Sequence, residues 1–288
     1  MTMVFRIGIA QIYPTLGNVE RNFAHIKECI DRAKEKKADL LVFPELSLTG
    51  YFLKDMVPNS ALRVDSPIIK DFLKKSLEIS LILGLVEETK DHIFYNSAFF
   101  MEEGKIVHIH RKVYLPTYGM FDEQRYFSKG NKIRAFNTKF GRFAILICED
   151  MWHPSAPYIA AQDGAEMIIS PASSPTRGVR QKKKLEISNI WESMNLTYAK
   201  MLSQFICFVN RVGYEDGINF WGGSEIVNPS GEKIIKGKYF EQEMIIAEID
   251  IEEIRRDRIP PMIQKDEDRE MTIKELKRIQ KKNAKKEF

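Results

Sequence analysis

The stretch that decides the fold is AILICEDMWHP, residues 144–154, in which Cys148 follows an apolar run and begins a polar turn. Short apolar runs bounded by turn residues are typical of buried strands. Two carboxylates, Glu149 and Asp150, follow the cysteine directly. Negative neighbours disfavour a thiolate, which is the nucleophilic form of cysteine. Because successive side chains of a strand and its turn point in different directions, we expect a carboxylate from a neighbouring strand to control the thiol.

Similar apolar runs recur along the whole chain and alternate with segments of helical spacing. Strands are predicted near residues 4–12, 39–46, 79–88, 94–102, 105–115, 142–149, 166–172, 205–212, 222–229, 232–237 and 243–250. Helices are predicted after the N-cap Asn18, after Ser66-Pro67, at 155–165, at 179–203 and in the C-terminal tail. Near-continuous apolar strands between helices indicate an α/β fold, and adjacent hairpins indicate a mixed sheet.

The composition is that of an ordinary globular protein, with 288 residues of which 44% are apolar and 29% are charged. The sequence has no apolar run of about 18 residues and no signal-peptide cleavage site, so neither a membrane span nor secretion is expected. Its three cysteines are too few and too scattered for a disulfide framework, which favours a reducing cytoplasm. Because no linker-like segment occurs, we expect one domain over residues 1–265.

Positive charge is concentrated in the C-terminal tail, residues 266–288. Residues 272–288 hold seven Lys/Arg and two Glu beside a sparse apolar stripe at Ile273, Leu276 and Ile279. Such a segment could bind nucleic acid or an anionic membrane. We favour a solvated terminal helix that touches its own domain or a partner subunit and binds neither nucleic acid nor membrane.

Polar residues follow three of the predicted apolar runs at the point where each run ends. Glu45 follows LLVFP, Lys112 follows IVHIHR and Cys148 follows AILI. Functional sites assemble at strand ends in layered α/β proteins, and an acid, a cation and a thiol buried together perturb one another strongly. We therefore expect these three residues to converge. Cys29 and Cys207 have no such neighbours, and we interpret them as inert core cysteines.

Three blocks around these residues resemble motifs of the nitrilase, or carbon–nitrogen hydrolase, superfamily. They are FPELSLTGY (residues 43–51), HRKVYLPTYGMFDE (residues 110–123) and ILICEDMWHP (residues 145–154), in the order typical of that family. The resemblance covers most of the chain. It implies a four-layer αββα sandwich of the nitrilase type with the three residues at the sheet ends, and it implies a homodimer or higher homo-oligomer.

The resemblance also implies the chemistry, which is carbon–nitrogen bond hydrolysis without a metal or another cofactor. Cys148 corresponds to the nucleophile, and Glu45 corresponds to the general base that takes its proton and later activates water. Lys112 corresponds to the cation that stabilises the tetrahedral oxyanion, together with the backbone N–H of Glu149. Glu123 falls where the family often places a second glutamate that positions substrate or water.

Within that superfamily, the blocks most closely resemble the glutamine-hydrolysing domain of glutamine-dependent NAD synthetases. The implied substrate is a small carboxamide, either glutamine or a related ω-amide, and the second reactant is water. Glu149 would bind the α-amino group of glutamine. The substrate-binding residues implied by the resemblance are Tyr51, Tyr118, Glu123, Glu149, Ser173, Ser174 and Arg177. Because the 288 residues hold no P-loop and no synthetase domain, ammonia would be released or passed to an ammonia-accepting partner protein.

Other functions stay open at this point. An N-carbamoyl amine hydrolase, a nitrilase or an acyl transferase would use the same three residues. WGGSE, residues 221–225, suggests a serine amidase, but the longer Gly/Ser-rich segment and the Ser-Ser-Lys set of that class are missing. Five scattered histidines argue against a metal-dependent amidohydrolase. A non-catalytic regulatory or binding protein of the same fold is disfavoured by the intact Glu, Lys and Cys set.

Overall fold

The computed structural model describes residues 4–176, 185–258 and 266–284, and two large β-sheets form its centre. The strands of the first sheet are β1 Val4–Gln11, β2 Leu40–Val42, β3 Ser80–Glu88, β4 Phe94–Glu102, β5 Lys105–Arg111 and β14 Glu243–Asp250. The strands of the second sheet are β6 Ala135–Thr138, β7 Gly141–Ile145, β8 Met167–Ala172, β9 Phe205–Asn210, β12 Glu225–Val227 and β13 Lys233–Lys236. A two-stranded ribbon pairs β10 Val212–Glu215 with β11 Ile218–Trp221.

Both large sheets are mixed, as predicted. The first sheet has the order β14-β1-β2-β3-β4-β5, in which β1, β2 and β3 are parallel and the other pairs are antiparallel. The second sheet has the order β13-β12-β9-β8-β7-β6, in which β7, β8 and β9 are parallel. Parallel neighbours end at the same edge of a sheet. The segments after β7 and β8 therefore emerge together, and the segment after β2 emerges beside the end of β3.

The two sheets pack face to face around a shared apolar core. Val42 and Phe100 of the first sheet and Ile145 and Ile169 of the second belong to one cluster of buried side chains. Burial of such side chains removes apolar surface from water, which is the main stabilising contribution to folding. The core between the sheets fixes their relative position, and with it the relative position of the loops at their ends.

Helices cover the outer faces of both sheets. Helices α1 Val19–Glu35 and α3 Pro67–Lys75 pack on the first sheet. Helices α5 Ser155–Gln162 and α6 Glu186–Leu202 pack on the second. The predicted four-layer αββα sandwich is thereby confirmed. The shorter or terminal helices are α2 Val57–Ser60, α4 Glu123–Tyr126, α7 Glu253–Arg258 and α8 Arg269–Ala284.

Two helix starts follow the predicted capping rules. The Asn18 side chain accepts a hydrogen bond from the Arg21 N–H at 3.0 Å, and the Ser66 hydroxyl accepts one from the Ile69 N–H at 3.4 Å. The helix predicted from residue 179 is observed from Glu186 onward. Its predicted start lies in residues 177–184, outside the described residues.

Three short strands, β6, β10 and β11, were not predicted from the sequence. Each has four residues, which is too short to show a clear alternation of apolar and polar side chains. The turn between β10 and β11 is Asp216-Gly217, with positive φ at both residues. Asp-Gly is a strong hairpin signal, so this pair could have revealed the ribbon.

The three strands that lead to the predicted site end earlier than expected, at Val42, Arg111 and Ile145. The polar residues predicted at the strand ends therefore lie in the connecting segments. A loop backbone can aim a side chain in directions that a regular strand cannot, because strand side chains must alternate between the two faces.

The tail forms a helix, as predicted, and its apolar stripe is largely exposed. In α8 the side chains of Ile273, Leu276 and Ile279 are 51%, 61% and 44% exposed. Just before it, Glu267 accepts a 2.8 Å hydrogen bond from the Tyr158 hydroxyl of α5, so the tail touches its own domain. Among the described helices, none is long and apolar enough to cross a membrane. The boundary between residues 265 and 266 and the homo-oligomer remain predictions.

Candidate active site

The loop that carries Glu45 is seated directly on β3. A Cβ atom on Gly84 would lie 2.4 Å from the carbonyl oxygen of Pro44 and 2.5 Å from the backbone nitrogen of Leu46. The Gly84 carbonyl also accepts the N–H of Leu48 at 3.0 Å. Only glycine permits so close an approach of two backbone segments. The glycine therefore fixes the height of Glu45 above the end of the sheet.

Lys112 lies at the centre of the candidate site, and its side chain is fully buried. Its ammonium donates to Glu45 Oε1 at 2.7 Å and to Glu123 Oε1 at 2.6 Å. Glu45 Oε1 also accepts from the Asn96 side-chain amide at 2.8 Å, and its Oε2 accepts from the Ser173 N–H at 2.8 Å. The Glu45 carboxylate is thus held by three partners from different elements, while one ammonium serves two carboxylates.

Cys148 begins a short 3-10 helix, Cys148–Trp152, directly after the second sheet's apolar run. Its φ of 44° lies in the left-handed region, which costs a residue with a Cβ about 1–2 kcal/mol. Non-glycine residues in this region cluster at functional sites, where the surrounding structure supports the strain. The residue stays partly exposed.

The carboxylate of Asp150 joins the segment of Cys148 to the segment of Lys112. It accepts the backbone N–H groups of Ile147, Val113 and Tyr114 at 2.9, 3.0 and 2.9 Å. It also contacts His110 Nε2 at 2.8 Å. Sequence reasoning gave Asp150 no role, although a carboxylate next to a buried apolar run must find such donors. Asp150 therefore holds the two segments together.

The ionisable groups of the site shift one another's pKa values strongly. Burial raises the pKa of the Cys148 thiol; Glu45 raises it further, Lys112 lowers it and Glu149 raises it by less than Glu45 does. Burial acts to lower the pKa of Lys112, but Glu123 and Glu45 more than offset this and the pKa is raised well above its ordinary value. Lys112 is therefore a permanent cation, and the thiol is protonated at neutral pH. As expected from the sequence, Glu45 acts on the thiol more than Glu149 does.

Glu123 lies in this cluster, and its pKa is raised to about 7. Burial is the largest cause, Lys112 lowers the pKa, and Glu45 raises it. The Tyr51 hydroxyl donates to the same carboxylate. Burial raises the pKa of Tyr51 well above its ordinary value, and Glu123 and Glu45 add to the increase. The predicted residues Tyr51 and Glu123 are thus brought to the cluster as a bonded pair.

The remaining predicted substrate residues are placed differently from one another. The Tyr118 hydroxyl donates to the Glu149 carboxylate at 2.9 Å. The Ser173 hydroxyl donates to the Glu45 carbonyl at 3.1 Å. The Ser174 hydroxyl accepts the indole N–H groups of two buried tryptophans, Trp191 and Trp221, at 3.0 and 3.2 Å. Arg177 lies outside the described residues.

Two cavities adjoin these residues. One of about 740 Å³ is lined by Tyr118, Glu149 and His153 among others. The second, of about 330 Å³, is lined by Tyr51 and Glu123 among others. Within residues 4–176, 185–258 and 266–284, no group of three His, Cys, Asp or Glu side chains is arranged to hold a metal ion. The chemistry that this arrangement can perform rests on a carboxylate, an ammonium and a thiol.

The other two cysteines have no part in this arrangement. Cys29 is buried in α1, where burial raises the pKa of its thiol to about 11. Cys207 is buried in β9, and burial raises its pKa as well. Neither thiol lies in the cluster of Glu45 and Lys112, so both serve as matched controls for Cys148.

A fold with two sheets between helical layers and a Glu, Lys and Cys cluster at its edge defines a carbon–nitrogen hydrolase. The carbon-nitrogen hydrolase family model matches residues 6–259, so the chain belongs to this family and is an enzyme of this class. It is similar to the glutamine-dependent NAD(+) synthetase of Thermotoga maritima, at 34% identity over 256 residues that cover 86% of this chain and 42% of the relative. It is also similar to that of Acinetobacter baylyi, at 32% identity over 260 residues that cover 89% and 46%. The chain thus spans less than half the length of these curated relatives.

Solved structures agree with this assignment. A carbon-nitrogen hydrolase from Helicobacter pylori G27 superposes with a TM-score of 0.81 at 25% identity, covering 96% of this chain and 98% of that one. The glutamine-dependent NAD+ synthetase from Acinetobacter baumannii superposes with a TM-score of 0.77 at 31% identity, covering 87% and 46%.

Proposed function

We propose that this chain is an amidase that releases ammonia from a small carboxamide, glutamine or a related ω-amide, through a thioester on Cys148. The observation that carries the proposal is the buried Lys112 ammonium, which contacts Glu45 at 2.7 Å and Glu123 at 2.6 Å next to the thiol. Amide hydrolysis through a covalent intermediate needs a nucleophile, a base and a group that stabilises an oxyanion. The cluster supplies one of each.

In the first half of the reaction, Glu45 takes the Cys148 proton as sulfur forms a bond to the amide carbon. Because burial and Glu45 raise the pKa of the thiol, no free thiolate is stored, and proton transfer accompanies the attack. The electron pair of the C=O bond moves to oxygen, and Lys112 stabilises that charge. The C–N bond then breaks, and the nitrogen takes the proton from Glu45 and leaves as ammonia.

In the second half, water attacks the thioester carbon while Glu45 takes one of its protons. The C–S bond breaks, the sulfur takes the proton back from Glu45, and the product leaves as a carboxylic acid. Glu123 lies on the opposite side of Lys112 from Glu45 in the hydrogen-bond chain, so it can orient substrate or water through its carboxyl. Each group returns to its starting state.

The side chains at one wall of the larger cavity support a substrate with an amino group near the amide. The Glu149 carboxylate and the Tyr118 hydroxyl form a bonded pair at the wall of the 740 Å³ cavity, one residue from Cys148. A carboxylate there suits an ammonium, with a charge-assisted hydrogen bond of about 1.5–3 kcal/mol. The names of the relatives place glutamine first among the amides to test.

The test measures ammonia release from glutamine, asparagine, other ω-amides and carbamoyl amines. Cys148→Ala should lower the turnover of the substrate by more than about a thousandfold, because the nucleophile is lost. Cys29→Ala is the matched control, since it removes a buried thiol that lies in a helix, and it should retain turnover. Unchanged turnover in Cys148→Ala would show that the proposal is wrong.

A further inference from the structure

A second buried ion pair lies outside the catalytic cluster and has no part in the proposed chemistry. Arg211 follows β9, Glu215 ends β10, and their buried side chains form a salt bridge. The guanidinium lies 4.3 Å from the ring centroid of Phe220 and donates to the Pro14 carbonyl at 3.3 Å. A buried carboxylate needs such a counter-charge, because an unpaired charge in the interior is strongly destabilising.

The second oxygen of the Glu215 carboxylate binds the backbone of the loop that carries Tyr51. Oε2 accepts the backbone N–H of Tyr51 at 2.9 Å and that of Phe52 at 3.0 Å. The backbone of Gly50, the residue before Tyr51, also lies close to this carboxylate. A Cβ on Gly50 would lie 3.0 Å from Glu215 Oε1 and 2.7 Å from Leu16 Cα. The carboxylate of Glu215 is therefore in close contact with the backbone of residues 50–52.

A continuous chain of hydrogen bonds runs from this loop into the catalytic cluster. The Tyr51 hydroxyl donates to Glu123 Oε1. The same oxygen accepts from the Lys112 ammonium at 2.6 Å, and that ammonium donates to Glu45 at 2.7 Å. A displacement of the Tyr51 backbone would move its hydroxyl away from Glu123, since the tyrosine side chain is rigid apart from two torsions.

We propose that Glu215, held by Arg211, is a positioning residue that fixes Tyr51 and, through the tyrosine hydroxyl, orients Glu123 toward Lys112. The inference rests on the proposed function, because it takes Lys112 and Glu123 as members of the reacting site. Glu215 touches no reacting atom and acts only through the loop.

An exposed ion pair also joins the Tyr51 loop to the ribbon of β10 and β11, and it can be compared with the buried contact of Glu215. Lys54, three residues after Tyr51, contacts Asp216, the neighbour of Glu215, at 2.6 Å, and their side chains are 61% and 48% exposed. Solvent screens such a pair, and two flexible side chains in water do not hold a backbone in one place. The buried pair has two backbone N–H groups as partners and is shielded from water. We assign the positioning role to the buried pair.

The charge state of Glu123 gives a readout for this role. The groups that face it are Lys112 after β5, Glu45 after β2 and Tyr51 in the loop that Glu215 binds. Its pKa is about 7, and the hydrogen bond from Tyr51 is among the contributions that lower it. If Tyr51 moves away, that contribution is lost, and Glu123 should titrate at a higher pH.

The experiment compares two double variants in which neither leaves a buried charge. Arg211→Met/Glu215→Gln removes the ion pair but keeps a side-chain oxygen of the same reach for the two N–H groups. Arg211→Met/Glu215→Leu removes the acceptor as well. Lys54→Met/Asp216→Asn is the control for the exposed link. The readouts are kcat and KM for ammonia release, melting temperature, and the pH dependence of Cys148 alkylation by iodoacetamide, followed by mass spectrometry.

The Leu double variant should lose kcat on the order of 100-fold, with a small change in KM, because Glu123 is displaced without loss of the substrate pocket. Lys112 acts on the thiol and bonds Glu123, so the ionisation of Glu123 should appear in the alkylation profile of the wild type as an inflection near pH 7. In the Leu double variant this inflection should move upward. The Gln double variant and the Lys54 control should keep both properties near those of the wild type. Equal behaviour of the Leu and Gln variants, or an equal loss in the control, would overturn the proposal.

Tyr51→Phe keeps the proposal testable if the Leu double variant does not fold. This substitution keeps the hydrogen bonds from the Tyr51 and Phe52 N–H groups to Glu215 and removes only the hydroxyl. It should therefore move the same inflection upward while the melting temperature stays that of the wild type. A wild-type profile in Tyr51→Phe overturns the route through Glu123. Alkylation needs no substrate, so failure of the wild type to release ammonia from any amide would count against the proposed function and leave the positioning test readable.

Discussion

Two buried ionic clusters among the described residues differ in charge balance, the one at Lys112 and the one at Arg211. At Arg211 and Glu215 one cation faces one carboxylate, and the carboxylate's remaining capacity is taken by two backbone N–H groups. At Lys112 one cation faces two carboxylates, Glu45 and Glu123. Both clusters are almost fully removed from water. What separates them is that the second has one negative group more than its cation can balance.

That difference decides what each cluster can do. In the balanced pair both members satisfy each other, so the pair can hold a backbone in place without exchanging protons. In the unbalanced cluster burial raises the pKa of Glu123 to about 7, with Lys112 opposing and Glu45 reinforcing the shift. The excess carboxylate thus brings the pKa of Glu123 into the physiological range, whereas the balanced pair holds its charges fixed.

The largest effect is expected from Lys112→Met, which removes the cation from the unbalanced cluster. Loss of the oxyanion-stabilising group should lower kcat by about 10²–10³-fold or more. Two buried carboxylates without a counter-charge should also lower the free energy of unfolding by about 3–5 kcal/mol. Ammonia release and urea denaturation measure the two effects. Lys105→Met, an exposed position at the start of β5, the strand that precedes Lys112, should change neither. Activity retained in Lys112→Met would show that the charge imbalance has no part in the reaction.

Arg211→Met should have the next largest effect, on stability. It leaves Glu215 buried without its cation, and the free energy of unfolding should fall by about 3–5 kcal/mol. Arg211→Met/Glu215→Leu should recover much of this loss, because neither buried charge remains. Urea denaturation of the two proteins gives the comparison. A double variant less stable than the single one would show that the pair does not behave as a balanced unit.

A smaller effect on stability is expected from substituting a glycine near each cluster, Gly84 at the Glu45 loop and Gly217 in the turn after Glu215. Gly84→Ala would place a Cβ 2.4 Å from the Pro44 carbonyl and push the Glu45 loop outward, at a cost of about 1–3 kcal/mol. Gly217→Ala in the ribbon turn meets no atom within 4 Å, but its φ of 75° costs about 1–2 kcal/mol. Stability should therefore fall similarly in both, while ammonia release should fall only in Gly84→Ala. Equal activity in the two variants would contradict a role for Gly84 in placing Glu45.

The unbalanced cluster was far easier to anticipate from the sequence than the balanced pair. Glu45 and Lys112, like the neighbouring Cys148, each follow a strand that its sequence pattern predicts, and each lies in one of the three motif blocks. Glu215 ends a strand of four residues with no visible alternation, and its partners Tyr51 and Phe52 lie more than 160 residues earlier. Backbone N–H groups carry no residue identity, so a carboxylate that binds them leaves no pattern in the sequence.

Asp150 shows the same limit inside the site. The sequence places it two residues after Cys148, yet its role depends on N–H groups of Val113 and Tyr114, 37 and 36 residues away. Only the approach of the segment after β5 to the segment after β7 creates that set of donors. The fold class followed from local periodicity, because apolar runs and helical spacing are properties of short windows. Contacts that support the site are properties of the packed chain.

The prediction that bears most directly on the charge imbalance is the pH dependence of stability at Glu123. Its pKa in the folded protein is about 7, above the ordinary value of 4.5. A carboxyl with a raised pKa binds its proton more tightly when folded, so its contribution to stability is complete below about pH 4.5 and is lost as the pH rises through about 7. Glu123→Gln cannot ionise and lacks this loss. The unfolding free energy of the wild type, relative to Glu123→Gln, should therefore decrease between about pH 4.5 and pH 7 and stay level outside this window, as measured by urea denaturation at a series of pH values. A difference that stays constant through this window would mean that Lys112 balances both carboxylates, and the contrast with Arg211 and Glu215 would disappear.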